Sequence, residues 1–360
     1  MPESGTLIHS KAGLAIIAIS AIIILLTCSG CITTGIAPDQ QDSSGEPVDH
    51  PDTGITITDS LGNTVTLPHT ARRIICQNGM AAELLVAIGS GDHIVGVSDA
   101  LMTERYVIEK IPQAQSIGDW QTPNIERIIT LKPDVMIVYS SKTLNIDKIT
   151  AANITVIYAD CNRVRDLPKE ARNLGKLTGK DQEAERYARY VEGYLNLIDE
   201  RLANLTESER PRVYVEMYRD YMAQGRGSTG DSILKSLKAR NIAENITTSS
   251  AVVSPDWIIQ QDPDVILKYV SRAKNLSEGY ESMRTRPEFS PLRAMHDNRV
   301  YAIKGDAISG PRGVSGLLYV AKTLYPDRFA DIDPKKVLHE YAEMFVSGAD
   351  SIETYLPDPI

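Results

Sequence analysis

The sequence predicts an α/β protein. Two similar α/β lobes, each on a mainly parallel central sheet, are joined by one long helix, with a ligand cleft between them. Three observations carry this reading. Strand-like and helix-like stretches alternate, as they do around parallel sheets. Residues 125–139 (IERIITLKPDVMIVY) recur as 255–269 (PDWIIQQDPDVILKY), an offset of 130 residues. Ile128/Ile258, Ile129/Ile259, Pro133/Pro263, Asp134/Asp264, Val135/Val265 and Tyr139/Tyr269 are identical. Between the copies, Ala184, Tyr187, Ala188, Val191, Tyr194, Leu195, Ile198, Leu202 and Leu205 recur at steps of three and four. That spacing gives a helix over 181–205 with one buried stripe. At 1.5 Å per residue it would be roughly 37 Å long, long enough to be a spine between lobes rather than an ordinary surface helix.

The 360 residues suffice for two domains of ordinary size. With 42% hydrophobic and 24% charged residues the composition is globular. A net charge of -9 argues against a nucleic-acid partner, which would require a basic stripe.

Lys11 precedes the uncharged apolar run Ala12 to Leu26, which has the length of a signal-peptide core. It ends in Thr27-Cys28-Ser29-Gly30-Cys31. Small residues before a cysteine resemble a lipobox, with Cys31 as the lipidated residue; an uncleaved membrane anchor is the alternative. Both place the rest outside the cytoplasm, anchored to the outer face of the cell membrane. Residues 32–53, rich in Pro, Ser, Gly and acids, read as a flexible tether. Asn-x-Ser/Thr sequons start at Asn153, Asn204, Asn245 and Asn275, which would fit an exported chain. Cys76 and Cys161 could pair in an oxidising compartment or could be buried thiols. No cysteine or histidine spacing points to a metal site.

The folded body divides into an N-terminal lobe (54–180), the long helix (181–205), a C-terminal lobe (206–346) and a tail (347–360). Ile55–Asp59 and Thr64–Leu67 alternate around a turn and read as a hairpin. Arg73–Cys76, His93–Val97, Val135–Tyr139 and Ile154–Tyr158 read as buried strands. Met80–Ile88 and Ile125–Leu131 have helical spacing, stopped by Gly89 and Pro133. After Pro211 the pattern restarts. Arg212–Tyr218, Val265–Tyr269 and Arg299–Ile303 are the strands. Asp231–Ala239, Trp257–Gln261, Ser315–Leu324 and Lys335–Phe345 are the helices.

Asp59-Ser-Leu-Gly-Asn-Thr-Val-Thr-Leu-Pro68, Arg72-Arg73-Ile74-Ile75, Glu83-Leu84 with Ala87-Ile88-Gly89, and Gly96-Val97-Ser98 carry a resemblance. So do Trp120 with Asn124-Ile-Glu-Arg-Ile, Leu131-Lys-Pro-Asp-Val135, Gly310-Pro311-Arg312 and Tyr325-Pro-Asp-Arg-Phe-Ala330. Over about residues 54–346 the chain resembles the substrate-binding proteins of ABC importers for Fe³⁺-siderophores, haem and vitamin B12. The resemblance implies two lobes bridged by a helix and no catalysis. It also implies a monomer that delivers cargo to a permease dimer driven by a cytoplasmic ATPase. The cargo would be an iron(III) chelate, haem or corrinoid, with no resident cofactor. Glu83 and Asp231 match the acids through which the family's lobes meet permease arginines. An exposed carboxylate near a helix start suits that role, and the long helix would set their separation. Ala239-Arg240 stands where the family often has Gly-Gly.

Cargo contacts are expected from loops at the strand ends: Asn78, Met80, Trp120, Ser140, Tyr218, Arg219, Tyr221, Arg226 and Arg312. Aromatic faces suit a macrocycle or aromatic chelate, and arginines suit an anionic one. Gly225-Arg-Gly-Ser-Thr-Gly230 matches G-x-G-x-x-G, but it lacks the tight turn after a strand and the distal acid of a dinucleotide site. No G-x-S-x-G elbow is present. An oxyanion-binding protein of the same fold and a secreted α/β enzyme remain the alternatives.

Overall fold

The helix–turn–strand unit of the internal repeat is built the same way in both places. The computed structural model describes residues 54–139, 145–271, 274–347 and Leu356. Asp134 accepts the backbone N–H groups of Arg72 (2.7 Å) and Arg73 (2.9 Å), and Arg73 Nε donates to the Lys132 carbonyl (3.0 Å). Asp264, 130 residues after Asp134, accepts the Arg212 N–H (2.8 Å), and the Arg212 guanidinium donates to the Gln261 carbonyl (2.5 Å). Each carboxylate pins the start of one strand, and each arginine caps the carbonyls ending a helix. Between helix and proline the chain turns through left-handed residues, Lys132 (φ 47°) and Asp262 (φ 37°). Asn124 and Ser254 cap the two helices, accepting from Arg127 N (3.0 Å) and Trp257 N (3.2 Å).

The N-terminal lobe opens with the hairpin β1 (Ile55–Thr58) and β2 (Thr64–Leu67). It continues through β3 (Ile74–Cys76), α1 (Gly79–Ala87), β4 (Ile94–Val97), α2 (Asp99–Met102), α3 (Arg105–Ile108) and β5 (Gln115–Ser116). Then follow α4 (Ile125–Thr130), β6 (Val135–Val138), α5 (Ile146–Ala151), β7 (Thr155–Tyr158) and α6 (Leu167–Thr178). The sheet order is β5-β4-β3-β6-β7, all parallel. Gly96 on β4 is a close-packed point: a Cβ there would come within 2.8 Å of Leu131.

After α7 (Asp181–Arg201) come β8 (Arg212–Glu216), β9 (Met222–Gln224), α8 (Thr229–Ser236), β10 (Arg240–Asn241) and β11 (Ser250–Val252). The C-terminal lobe continues with α9 (Pro255–Gln261), β12 (Val265–Val270), α10 (Leu276–Arg284), α11 (Arg293–His296), β13 (Val300–Lys304), α12 (Gly313–Leu324) and α13 (Pro334–Phe345). The main path of its sheet is β11-β9-β8-β12-β13, with β10 also beside β8. The strands β10, β8, β12 and β13 run parallel, repeating the N-terminal β4, β3, β6, β7 arrangement. The antiparallel β9 and β11 are additions to the second lobe.

The long helix ends at Arg201, four residues short of the predicted Leu205. Thr206 caps a separate 3₁₀ turn over Glu207–Glu209, and this takes over the chain before Pro211. Leu202 and Leu205 are still buried, so the apolar period outruns the helix. On α7, the Tyr187 hydroxyl donates to Pro311 O (2.7 Å) and Tyr190 to Val337 O (3.0 Å). On its other side it lies against α6 so closely that a Cβ on Gly175 would meet the Ala184 methyl at 2.3 Å. The helix is thus tied to both flanking elements.

The apolar run 12–26, Cys28, Cys31, the tether, Ser140 and all of the tail except Ser347 and Leu356 lie outside the described residues. Among the described residues, no helix is long and apolar enough to cross a membrane. Cys76 and Cys161 are buried free thiols, and burial pushes both thiols up.

Candidate functional site

Two chambers lie at the C-terminal ends of the strands, where open α/β sheets present their loops. The first, of about 190 Å³, is lined by Gly79, Met80 and Glu83 of α1, by Ser98, Ala100, Leu101, Glu104, Tyr106, Trp120 and Tyr139, and by Arg312. The second, of about 350 Å³, is lined from the C-terminal lobe by Met217, Tyr218, Tyr269 and Gly305 at strand ends, and by Gln224, Ser228, Thr229, Ser249 and Ser250. The segment 309–312 runs from one to the other. Ser309 lines the second chamber, Gly310 donates to the Asn162 carbonyl (3.3 Å), and Arg312 lines the first. Gly310 (φ 71°) lies against Met80, whose sulfur would be 2.3 Å from a Cβ there.

The first chamber joins aromatic faces to a buried charge node. Trp120, 38% exposed, meets Tyr139 edge-on with ring centroids 5.5 Å apart. Gln77 holds both: its amide N–H donates to the Trp120 carbonyl, and its carbonyl accepts from Tyr139 N (3.3 Å). Behind them the Arg312 guanidinium lies 4.5 Å over the Tyr106 ring and 3.6 Å from Glu83. Glu83 also accepts from the Tyr106 hydroxyl and the Tyr341 hydroxyl (3.1 Å). Burial, with the Glu83 charge beside it, pushes the Tyr341 phenol well up, so it stays a donor.

This corrects the expectation for Glu83. Docking requires an exposed carboxylate, but Glu83 is 2% exposed, and the arginine it meets is the chain's own. It lies mid-helix on α1, a helix whose residues from Ala81 to Ala87 are all buried. Asp231 departs in the same way. The helix starts two residues earlier than predicted, with Ser228 as cap, so Asp231 is its third residue. It accepts from Gly227 N (2.8 Å), Lys235 Nζ (2.6 Å) and Asn241 Nδ2 (3.2 Å), and is fully buried. In this arrangement both carboxylates are buried and held by partners within the chain.

Of the predicted cargo contacts, Met80, Trp120 and Arg312 come together in the first chamber and Tyr218 lines the second. Ser140 lies outside the described residues, and Asn78, Arg219, Tyr221 and Arg226 line neither chamber. Asn78 is buried as the α1 cap, accepting from Met80 N (3.0 Å) and donating to Ala159 O (2.7 Å). Tyr221 stacks under Arg286, 4.4 Å from the guanidinium, and donates to Glu288. It belongs to a buried ion cluster in which Glu216 takes Arg286 (2.8 and 2.9 Å) and Lys268 (2.5 Å). Arg219 is exposed. Arg226 is exposed and donates to Glu244 O (3.1 Å). The glycines of the G-x-G-x-x-G stretch serve the loop itself: a Cβ on Gly225 would meet Thr248 O at 2.1 Å, and Gly227 has φ 78°.

Sequence reasoning missed the hydroxyl-bearing lining of the second chamber and Tyr139 and Tyr269. A signal for the tyrosines was present: they are the last identity in the internal repeat, one lining each chamber. Among the described residues, no cluster of three or more His, Cys, Asp or Glu could hold a metal ion.

Two α/β lobes, a connecting helix and a cleft at the strand ends define a two-lobed ligand-binding protein. The chain belongs to the periplasmic binding protein family, whose model matches residues 74–307. It is the substrate-binding component of an ABC transporter, acting with a permease and its ATPase, and not an enzyme. It is 25% identical, over 89% of its length and 99% of the relative's, to an uncharacterized ABC transporter substrate-binding lipoprotein, YvrC, of Bacillus subtilis. It is 26% identical to a cobalamin-binding protein of Halobacterium salinarum, over 60% of this chain and 59% of that one. Among solved structures, molybdate-bound MolA of Haemophilus influenzae matches with a TM-score of 0.69 at 21% identity, covering 81% of this chain and 98% of that one.

Proposed function

We propose that the chain captures a corrinoid outside the cytoplasm and hands it to the permease. One observation carries the choice of cargo. Among the described residues lining the two chambers, the only cation is Arg312, set against two acids, Glu83 and Glu104. The remaining lining is aromatic, aliphatic, hydroxyl or amide. An anionic iron chelate, or haem with its propionates, would find no spare positive charge among these described lining residues, and desolvating an unpaired anion is costly. A corrinoid's amide-bearing rim is neutral. The phosphodiester of a cobalamin's nucleotide loop is balanced by its own cationic cobalt centre, so such a cargo asks for less positive charge from the cleft. Its flat face suits Trp120 and Tyr218, both partly exposed. The cobalamin-binding relative from Halobacterium salinarum supports the same cargo.

The test is retention of colour. Purified protein is mixed with cyanocobalamin, haem, a ferric siderophore or molybdate, then desalted. Cobalamin absorbance near one equivalent, with neither the haem nor the siderophore retained, supports the reading; retention of an anionic cargo and not cobalamin overturns it. The chain is further taken to act as a monomer, tethered through a lipid on Cys31. Cys31→Ala would then shift it from the membrane fraction to the soluble fraction.

A further inference from the structure

The second chamber carries more than a general role in binding. None of its twelve lining residues is charged, and most offer a hydroxyl or an amide. Two of these groups are already committed to the loop: Ser228 Oγ accepts from Asp231 N (3.0 Å), and Gln224 Oε1 accepts from Gly230 N (3.0 Å). The Tyr269 hydroxyl is not. It is buried and has no hydrogen-bond partner, although the residue is only 2% exposed. Buried polar groups are almost always paired, and an orphan of this kind in the wall of a cavity points to a group supplied from outside. At the mouth stands Tyr218, 45% exposed, its hydroxyl so close to Gly305 that a Cβ there would be 2.3 Å away.

Resting on the corrinoid reading, we propose that this chamber is a subsite for an uncharged carboxamide arm of the cargo, with the Tyr269 hydroxyl as its recognition group. A carboxamide suits the lining because it both accepts and donates. Its carbonyl takes the phenol proton, which burial keeps in place by pushing the group up. Its NH₂ can donate to the hydroxyls of Thr229, Ser249 or Ser250. Among the described residues lining the chamber, a carboxylate arm has no cation to meet. The positive end of α8 does not replace one, because the buried Asp231 already sits in its first turn. The same argument disfavours a free oxyanion.

The test uses the full chain and its Tyr269→Phe variant, with cyanocobalamin and the derivatives in which single propionamide arms are hydrolysed to carboxylates. The hydroxyl is orphaned without cargo, so Tyr269→Phe should leave the melting temperature of the free protein unchanged or raise it. It should weaken cobalamin binding about tenfold. The unsubstituted protein should also bind at least one monocarboxylate derivative more weakly than cobalamin, and the variant should narrow that gap. If both proteins bind cobalamin equally well, the subsite assignment is overturned and the corrinoid reading stands. If neither binds cobalamin, both fall. A fall in the free variant's melting temperature would show that the hydroxyl has a structural partner, and would overturn the subsite assignment.

Discussion

The two lobes share a frame and differ in what they put on it. In both, an aspartate after a proline pins a strand start and an arginine caps a helix end. Both carry a tyrosine at the end of the strand that follows. In the first lobe β3 runs directly into α1, and the chamber holds aromatic rings over the buried Glu83–Arg312 pair. In the second, β9 intervenes between β8 and α8, and the loops around it fill the chamber with hydroxyls. The charges there are moved away, into the cluster around Glu216. A duplicated scaffold can therefore offer one ligand two unlike surfaces, because the loops beyond the strand ends vary without disturbing the clasps beneath them.

The largest expected difference between the lobes lies in their buried charges. Glu83 has one cation, Arg312, while Glu216 has Arg286 and Lys268. Arg312→Met should cost about 3–5 kcal/mol in urea unfolding, since it leaves a buried carboxylate with only phenol donors. Arg286→Met leaves Glu216 with Lys268, the Tyr214 hydroxyl (3.0 Å) and the Tyr221 N–H (2.9 Å). It should cost about 1–3 kcal/mol. An equal or reversed ranking would break the contrast between a single and a doubled counter-charge.

The chambers differ in how they hold cargo, and aromatic truncation sharpens that difference. Trp120→Ala should weaken cobalamin binding about tenfold or more, and Tyr218→Ala about threefold, because the larger face contributes more buried area. Titration by tryptophan-independent absorbance measures both. A larger loss at Tyr218 would move the main stacking surface into the second lobe.

The frames are predicted to be equivalent where the chambers are not. Asp134→Asn removes the charged acceptor of two backbone N–H groups. Asp264→Asn removes that of one N–H and of the Arg293 guanidinium (2.8 Å). Each should cost about 1–3 kcal/mol, and similar values from the two variants would identify the clasps as one device used twice. A loss at only one of them would mean that the shared geometry does not carry shared energetics.

What was legible in the sequence follows this division. The repeat made the frame visible, since Pro133/Pro263 and Asp134/Asp264 act through local backbone geometry that a short stretch of sequence encodes. The hairpin, the strands of both lobes and the helices beside them fall close to their predicted places. The clefts were less legible. Glu83 looks like an exposed acid because the groups that bury it lie far along the chain: Arg312 and Tyr341, with Tyr106 nearer. Tyr221 and Arg226 looked like cleft residues because they follow a strand. The inserted β9 turns them elsewhere, and a three-residue strand leaves little periodicity to read. The chamber's serines were invisible for a similar reason, being scattered over loops without a pattern of their own.

The smallest expected effect concerns Asp231, the acid of the second lobe's helix. Burial alone would raise its carboxyl, but Lys235, the Gly227 N–H and Asn241 together hold it below the usual carboxylate range. A carboxyl lowered by folding stabilises the native state above its unfolded value of about 3.9, and that contribution fades as pH falls through the lower folded value. Asp231→Asn should therefore cost about 1 kcal/mol at neutral pH, measured by urea unfolding. The gap to the unsubstituted protein should stay constant above about pH 5 and narrow as pH falls below about 4. Because Lys235 is largely exposed at 63%, raised salt should trim the neutral-pH gap only in part, leaving the share due to Gly227 and Asn241. A gap that widens on acidification would mean that Asp231 is held neutral, and that its place at the head of α8 comes from burial and not from charge.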